Sequence, residues 1–183
     1  GVDTNLNHVR ASNGQSGSCM VLVTPDAERS MCTFLGVSAD LDDGALHPKD
    51  IVKSKIYYME GYLAASPTGL DAALKGRQIA KDAGVALALT LSDVSMIQFC
   101  KAGLDAMLSD GVDYLFCNQE EAQVWCGTQD LNEVRLQLKK LAKMVCMTRG
   151  PEGSEVMTSE QTWHVPAEKV KAIDTNGAGD MFA

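Results

Sequence analysis

The chain lacks several features that would have settled its class at once. Its six cysteines (Cys19, Cys32, Cys100, Cys117, Cys126 and Cys146) form no C-x-x-C pair. Most lie in apolar stretches, so they read as reduced, buried, small hydrophobes rather than disulfides or zinc ligands. No apolar run approaches the ~18 residues of a membrane span, and no signal peptide is visible, so a cytoplasmic protein is expected. Positive charge is scarce: the net charge is −8 and the pI about 4.8, which argues against a nucleic-acid or anionic-membrane partner. Aromatics make up only 5%, so the core must rest on Leu, Val, Ile, Ala and Met. No G-x-G-x-x-G follows the first strand and no G-x-x-x-x-G-K occurs anywhere, which excludes a Rossmann dehydrogenase and a P-loop enzyme. The three histidines, His8, His47 and His164, are scattered and carry no catalytic assignment.

At 183 residues and 45% hydrophobic, the chain can bury one core but not two ordinary ones. Residues 1–17 are polar and without period, a loop or frayed terminus. Residues 18–24 and 29–35 are strand-like, and Pro25-Asp26-Ala27-Glu28 turns one into the other as a hairpin. Residues 39–51 are acidic and loop-like, with a short helix after Pro48. From Ile56 a cadence begins. Apolar runs start at Ile56, Val85, Val112 and Met144, spaced 27 to 32 residues apart, the length of a βα unit. The intervening segments carry helical stripes: Leu70, Ala73, Leu74 and Ala80; Ile97, Cys100, Leu104, Met107 and Leu108; Leu131, Val134, Leu138 and Leu141. Continuous apolar strands alternating with amphipathic helices predict an α/β fold, a doubly wound, mostly parallel sheet with helices on both faces. A second hairpin comes next, over residues 153–165. Val170-Lys171-Ala172-Ile173 then reads as a strand, and Met181-Phe182-Ala183 as the start of a helix.

In such sheets ligands bind beyond the carboxyl ends of the strands, so the residues just past each strand are diagnostic. Glu60-Gly61-Tyr62, Ser92-Asp93, Asn118 to Glu121, Thr148 to Gly153, and the glycine turn at Gly177 stand there. Asn118 and Glu121, three apart, form either an oxygen-donor pair suited to Mg²⁺ or a helix cap. Thr148-x-Gly150-x-x-Gly153 is either a phosphate-facing loop or a mere turn. Arg149 either adds charge near phosphates or faces solvent. Asp174-Thr175-Asn176-Gly177-Ala178-Gly179-Asp180 turns sharply into a helix start. Open N–H groups and the helix dipole suit an anion there, and Asp180 is placed to take a proton from a hydroxyl. The bland account of the same residues is a Gly-rich turn with an acidic first helical turn.

That last stretch resembles the D-T-x-G-A-G-D signature of the ribokinase-like (pfkB-type) carbohydrate and nucleoside kinases. Asn118-x-x-Glu121 resembles the family's N-x-x-E motif and Thr148-x-Gly150-x-x-Gly153 its T-x-G-x-x-G loop. Residues 21–31 resemble its V-T-P-D-G-E-R-T segment, where a small β lid meets the core. Glu60-Gly61-Tyr62-Leu63 and Leu91-Ser92-Asp93 are similar to the adenosine-kinase-like bacterial branch. The resemblance implies ATP and Mg²⁺ as cofactors and phosphoryl transfer to a sugar or nucleoside hydroxyl, an adenosine-like nucleoside first and ribose- or fructose-type sugars next. It makes Asp180 the general base and the Gly177, Ala178 and Gly179 N–H groups the anion hole. Asn118 and Glu121 would place Mg²⁺ and phosphates, and Thr148, Gly150 and Gly153 would cradle the nucleotide. Asp174 and Asn176 would share a K⁺-like cation, and the lid would serve a homodimer.

Two departures stand out: the family's N-terminal Gly-Gly motif with its early Asp is missing, and so is everything past the first turn of the catalytic helix. Residues 1–183 therefore read as a single, incomplete ribokinase-like domain, with residues 18–35 as a hairpin at the lid–core junction. As given, the chain is expected to be inactive. The alternative reading is a nucleotide-binding module or inactive fragment of a kinase-derived fold.

Overall fold

The computed structural model describes residues 13–25 and 29–183. The expected frayed segment before residue 13, His8 included, lies outside the described residues. So do Asp26, Ala27 and Glu28 of the expected hairpin turn. The flanking strands are as read: β1 (Ser18–Val23) pairs antiparallel with β2 (Arg29–Phe34), Ser18 opposite Phe34 and Val23 opposite Arg29. Nearly every residue of this ribbon is exposed, Met20, Leu22, Met31 and Phe34 among them. A short helix, α1 (Pro48–Ile51), begins at Pro48 as expected.

Six further strands form one sheet in chain order: β3 (Ile56–Glu60), β4 (Ala86–Thr90), β5 (Val112–Asn118), β6 (Ala142–Thr148), β7 (Ser154–Thr158) and β8 (Thr162–Val165). The first four are mutually parallel, and β7 and β8 add antiparallel. The 27–32-residue cadence is the βα repeat that this parallel part requires, because parallel neighbours need a crossover. The crossovers are α2 (Pro67–Asp82), then α3 (Val94–Phe99) with α4 (Lys101–Leu108), then α5 (Gln119–Cys126) with α6 (Leu131–Leu138). The stripe expected over residues 97–108 is split at Cys100, whose backbone (φ −123°, ψ 22°) leaves the helix and starts a second one.

α2 shows how local sequence sets these elements. Ser66 Oγ accepts the Gly69 N–H at 3.0 Å, Pro67 opens the first turn, and Gly84 at φ +70° ends the run. Gly76 lets the helix lie directly on β3: a Cβ there would stand 2.0 Å from the Tyr57 hydroxyl.

The core sits on one face of the sheet. Leu87, Leu89, Leu115, Cys117, Val145, Met147 and Met157 turn to that face and pack with Ala73, Ala80, Leu104, Met107, Ala122, Val134 and Leu138. Each fully buried Leu or Met there contributes about 1.5–3 kcal/mol. The strand order steps in one direction without reversal. Right-handed crossovers then deposit every helix on the same side. The helices expected on both faces are therefore found on one within the described residues. Opposite them lie Tyr58, Ala88, Tyr114, Phe116, Met144, Cys146 and Val156, most of them half-buried, with Ile56 and Trp163 exposed.

Two local expectations are corrected. Residues 170–173 are not a strand: Val170 and Ile173 are 80% and 83% exposed and neither sheet edge takes them up. β-propensity without a neighbouring ladder does not hold a strand. Met181 to Ala183 do not continue a helix either. The bonds Met181 N–H to Gly177 O (3.0 Å) and Phe182 N–H to Gly179 O (3.0 Å) close isolated turns. A helical nucleus that short has no propagation to offset its entropy.

Candidate active site

The carboxyl ends of β3 to β6 gather Glu60, Thr90, Asn118 and Thr148 along one edge of the sheet. At the end of β4, Ser92 adopts φ +69°, a left-handed backbone that costs a non-glycine residue roughly 1–2 kcal/mol. Its Oγ accepts the Gly61 N–H at 2.8 Å and donates to Glu60 Oε2 at 3.1 Å, tying the exit of β3 to the exit of β4. Next to it, Asp93 caps α3, accepting the Ser95 N–H at 2.6 Å and the Ser95 hydroxyl.

Asn118 and Glu121 form the reciprocal cap that sequence left open. Asn118 Oδ1 accepts the Glu121 N–H at 2.8 Å and Glu121 Oε2 accepts the Asn118 N–H at 3.0 Å. Glu121 Oε1 also accepts from Asn118 Nδ2 at 2.6 Å. The carboxyl is 6% exposed, and burial pushes it above the usual range against the pull of the Asn118 N–H, with Asp93 and Glu120 adding to the rise. A buried acid held by neutral donors and facing other acids is a place where a cation would be favourable. No group of three or more His, Cys, Asp or Glu that could hold a metal occurs among the described residues.

Thr148 stands directly opposite Asn118 in the β5–β6 register, so the cap and the Thr148–Gly153 loop are neighbours. The loop is closed by Arg149 N–H to Gly153 O (2.8 Å) and Gly153 N–H to Gly150 O (3.0 Å). Gly153 at φ +94° has the chain leaving β8 against it: a Cβ would meet Val165 O at 2.0 Å. Arg149 is turned away from solvent and tied to protein partners. Its Nε donates to Gln119 Oε1 at 2.9 Å, its Nη1 to Glu155 Oε1 at 2.9 Å, and Glu152 completes the set. Glu155 is buried and also takes two 2.7 Å bonds from Arg135, whose guanidinium is the main reason its carboxyl is held below the usual range.

The glycine turn approaches from the β3 side. Asn176 N–H donates to Asp174 Oδ1 at 2.8 Å, and Gly177 takes φ +73°. Of the three N–H groups assigned to an anion hole, that of Ala178 is used within the turn, donating to Thr175 O at 3.2 Å. Those of Gly177 and Gly179 meet no acceptor among the described residues. Asp180 is exposed, and its carboxylate acts on two phenols of the β3 exit. Tyr58 is pushed up to about 12 by burial, then by Glu60, with Asp180 contributing. Tyr62 is raised by burial first and then by Asp93, Glu121, Asp180 and Glu60 together. Carboxylates from four segments thus add to the effect of burial on one tyrosine.

Sequence reasoning gave three participants no role, although Ser92 stood among the residues past the strand ends and Arg29 in the segment over residues 21–31. Arg29 on β2 reaches the glycine turn, donating from Nη1 to Thr175 Oγ1 at 3.0 Å. Ser92 carries the left-handed backbone, and Arg135 holds Glu155. Their contacts have no local signal, since each acts on a partner brought close only by the fold. A hollow of about 460 Å³ lined by Asp110, Asp113, Lys139, Lys140 and Lys143 lies at the opposite edge of the sheet, among the loops entering β5 and β6. Lys143 is paired with Asp113 at 2.6 Å there, and the hollow shares no residue with the edge described above.

A family model described as pfkB family carbohydrate kinase matches residues 1–183. The chain is 28% identical to an adenosine kinase of Schizophyllum commune over 92% of its own length and 55% of that protein's. It is 25% identical to a ribokinase of Staphylococcus aureus (strain COL), over 95% and 56%. The crystal structure of adenosine kinase from Sinorhizobium meliloti superposes with a TM-score of 0.86 at 32% identity, covering 91% of this chain and 51% of that one. The chain spans about half the length of the curated relatives it matches.

Proposed function

Because the chain belongs to the pfkB family of carbohydrate kinases, we propose that it carries the phosphoryl-transfer half of an ATP-dependent sugar or nucleoside kinase, with adenosine or a similar ribonucleoside as the favoured acceptor. The observation that supports this reading is the register that sets Thr148 opposite Asn118 at the carboxyl edge of the sheet, the edge where Glu60, Thr90 and the capped Glu121 also stand. In the reaction, the acceptor hydroxyl attacks the γ-phosphorus of ATP. Its proton passes to the Asp180 carboxylate, the new O–P bond forms, and the bond to ADP breaks. The Gly177 and Gly179 N–H groups face the charge that spreads over the transferred phosphoryl oxygens. Positioning and electrostatics of this kind supply most of phosphoryl-transfer catalysis. Glu121, with Asn118, would hold Mg²⁺ through water, and the ion would neutralise phosphate charge. Asp174 has one oxygen committed to Asn176, so a K⁺-like cation there remains an implication of the resemblance.

Adenosine is preferred over ribose and fructose on the Glu60-Gly61-Tyr62 and Leu91-Ser92-Asp93 segments and on the adenosine kinases among the relatives. The experiment is coupled ADP release with adenosine, ribose and fructose, run on residues 1–183 and on a chain extended to the length of the relatives. Phosphorylation by the extended chain alone is expected. Silence from the extended chain with every acceptor would remove the reading. A second reading, nucleotide binding without turnover, is favoured for residues 1–183 themselves by their span of about half the relatives. Calorimetry with ATP and Mg²⁺ separates it from a segment that binds nothing.

A further inference from the structure

Ser92 presents a puzzle that the kinase reading alone does not answer. A glycine would take φ +69° without strain, yet a serine stands there. Hydrogen bonds from its side chain and backbone hold it in place. Its Oγ takes the Gly61 N–H at 2.8 Å and gives to Glu60 Oε2 at 3.1 Å. Its own N–H donates to Thr90 Oγ1 at 3.2 Å, and its carbonyl accepts the Tyr62 hydroxyl at 3.4 Å. The fit is tight: a Cβ on Gly61 would stand 2.8 Å from Thr90 O and 3.0 Å from Ser92 Oγ. Three of these bonds, to Gly61, Glu60 and Tyr62, fix the turn that carries Tyr62, and the Tyr62 ring, half exposed, stands at the carboxyl edge of the sheet with Asp180 among the carboxylates that raise its phenol. Strain kept in place by surrounding contacts, next to reacting groups, points to function rather than to folding.

We propose that Ser92 and Glu60 are positioning residues that clamp the Gly61–Tyr62 turn as a wall of the acceptor pocket, so that acceptor affinity depends on them and nucleotide affinity does not. The proposal rests on the kinase reading and adds to it which substrate this corner of the site serves. The hydroxyl of Ser92 is the only part of its side chain that the clamp uses. Removing that hydroxyl while relieving the backbone is therefore the sharp test.

In the chain extended to the relatives' length, Ser92→Gly is compared with wild type, Ser92→Ala, Ser92→Asn and Glu60→Gln, with adenosine, ribose and fructose as acceptors. Ser92→Gly is expected to keep or raise Tm, yet to raise the KM of the best acceptor at least tenfold while the KM for ATP stays within twofold. Ser92→Ala shows the same KM split with a lower Tm. Ser92→Asn, which tolerates the left-handed backbone and restores a hydrogen-bonding group, recovers part of the affinity. Glu60→Gln moves acceptor KM in the same direction by a smaller factor. An unchanged acceptor KM in Ser92→Gly, or an equal rise for ATP, overturns the clamp and leaves the kinase reading standing. A wild type that phosphorylates none of the three acceptors removes both.

Discussion

The guanidinium of Arg29, on an exposed ribbon near the start of the chain, donates a 3.0 Å hydrogen bond to Thr175 Oγ1 in the glycine turn, 146 residues away. The bond is exposed to solvent, so it is worth only about 0.5–1.5 kcal/mol. Its consequence is geometric, because it sets where the ribbon stands over the residues that precede Asp180. Arg29→Ala in an extended chain should therefore lower kcat/KM about tenfold or more with a Tm within about 2 °C of wild type. Kinetics and a thermal melt on the same sample check it. An unaltered kcat/KM would mean the ribbon is held by other contacts.

Asp180→Asn removes the proton acceptor and leaves the turn's backbone in place. Turnover should fall by about 10²–10⁴, the usual contribution of general-base catalysis. Calorimetric affinity for ATP should stay within about twofold. Retained turnover would take Asp180 out of its assigned role.

Glu121 has its carboxyl raised by burial. A carboxyl whose folded value exceeds its unfolded one favours the folded state while protonated, and that advantage disappears as pH rises through the folded value. Glu121→Gln, which cannot ionise, should thus equal wild type in Tm at low pH and exceed it above that range. Melts from about pH 4 to 8 without metal track the difference. With Mg²⁺ present the order should reverse if the carboxylate receives the ion, since only the wild type then gains.

Glu155 behaves in the opposite sense. Arg135 and Arg149 hold its carboxyl low, so their pairing is present above the unfolded carboxylate range and fades as pH falls through the folded one. Glu155→Gln strands two guanidinium groups and should cost about 3–5 kcal/mol at neutral pH. It should also flatten the acid limb of stability. Urea unfolding at several pH values measures both effects, and a cost below about 1 kcal/mol would show that the two arginines find other acceptors.

How far the sequence carried depends on the range of the interaction. The four parallel strands and their crossovers were legible because burial forces a periodic pattern onto Val85 to Leu91 or Leu131 to Leu138 that no loop would show. The Asn118–Glu121 pair was legible as a pair, and three-residue spacing could not choose between cap and ligand. The cap formed because both partners lie within one helical turn. Residues 170–173 misled because Val and Ile signal a strand whether or not a neighbour exists to pair with it. The contacts of Arg29, Ser92 and Arg135 were silent for the same reason in reverse, each made to a partner that chain order separates. Arg149 could not be placed because its partner Glu155 sits on an antiparallel strand that returns only after the loop.

The bare side of the sheet has a practical meaning for anyone handling residues 1–183 in solution. Tyr58 and Phe116, ring centroids 6.2 Å apart, lie with Trp163 and Ile56 on a surface that water wets poorly. Such a surface is adhesive. The purified segment should form particles as its concentration climbs, take up an apolar dye without unfolding, and stay dispersed when a mild detergent or a covering polypeptide is supplied.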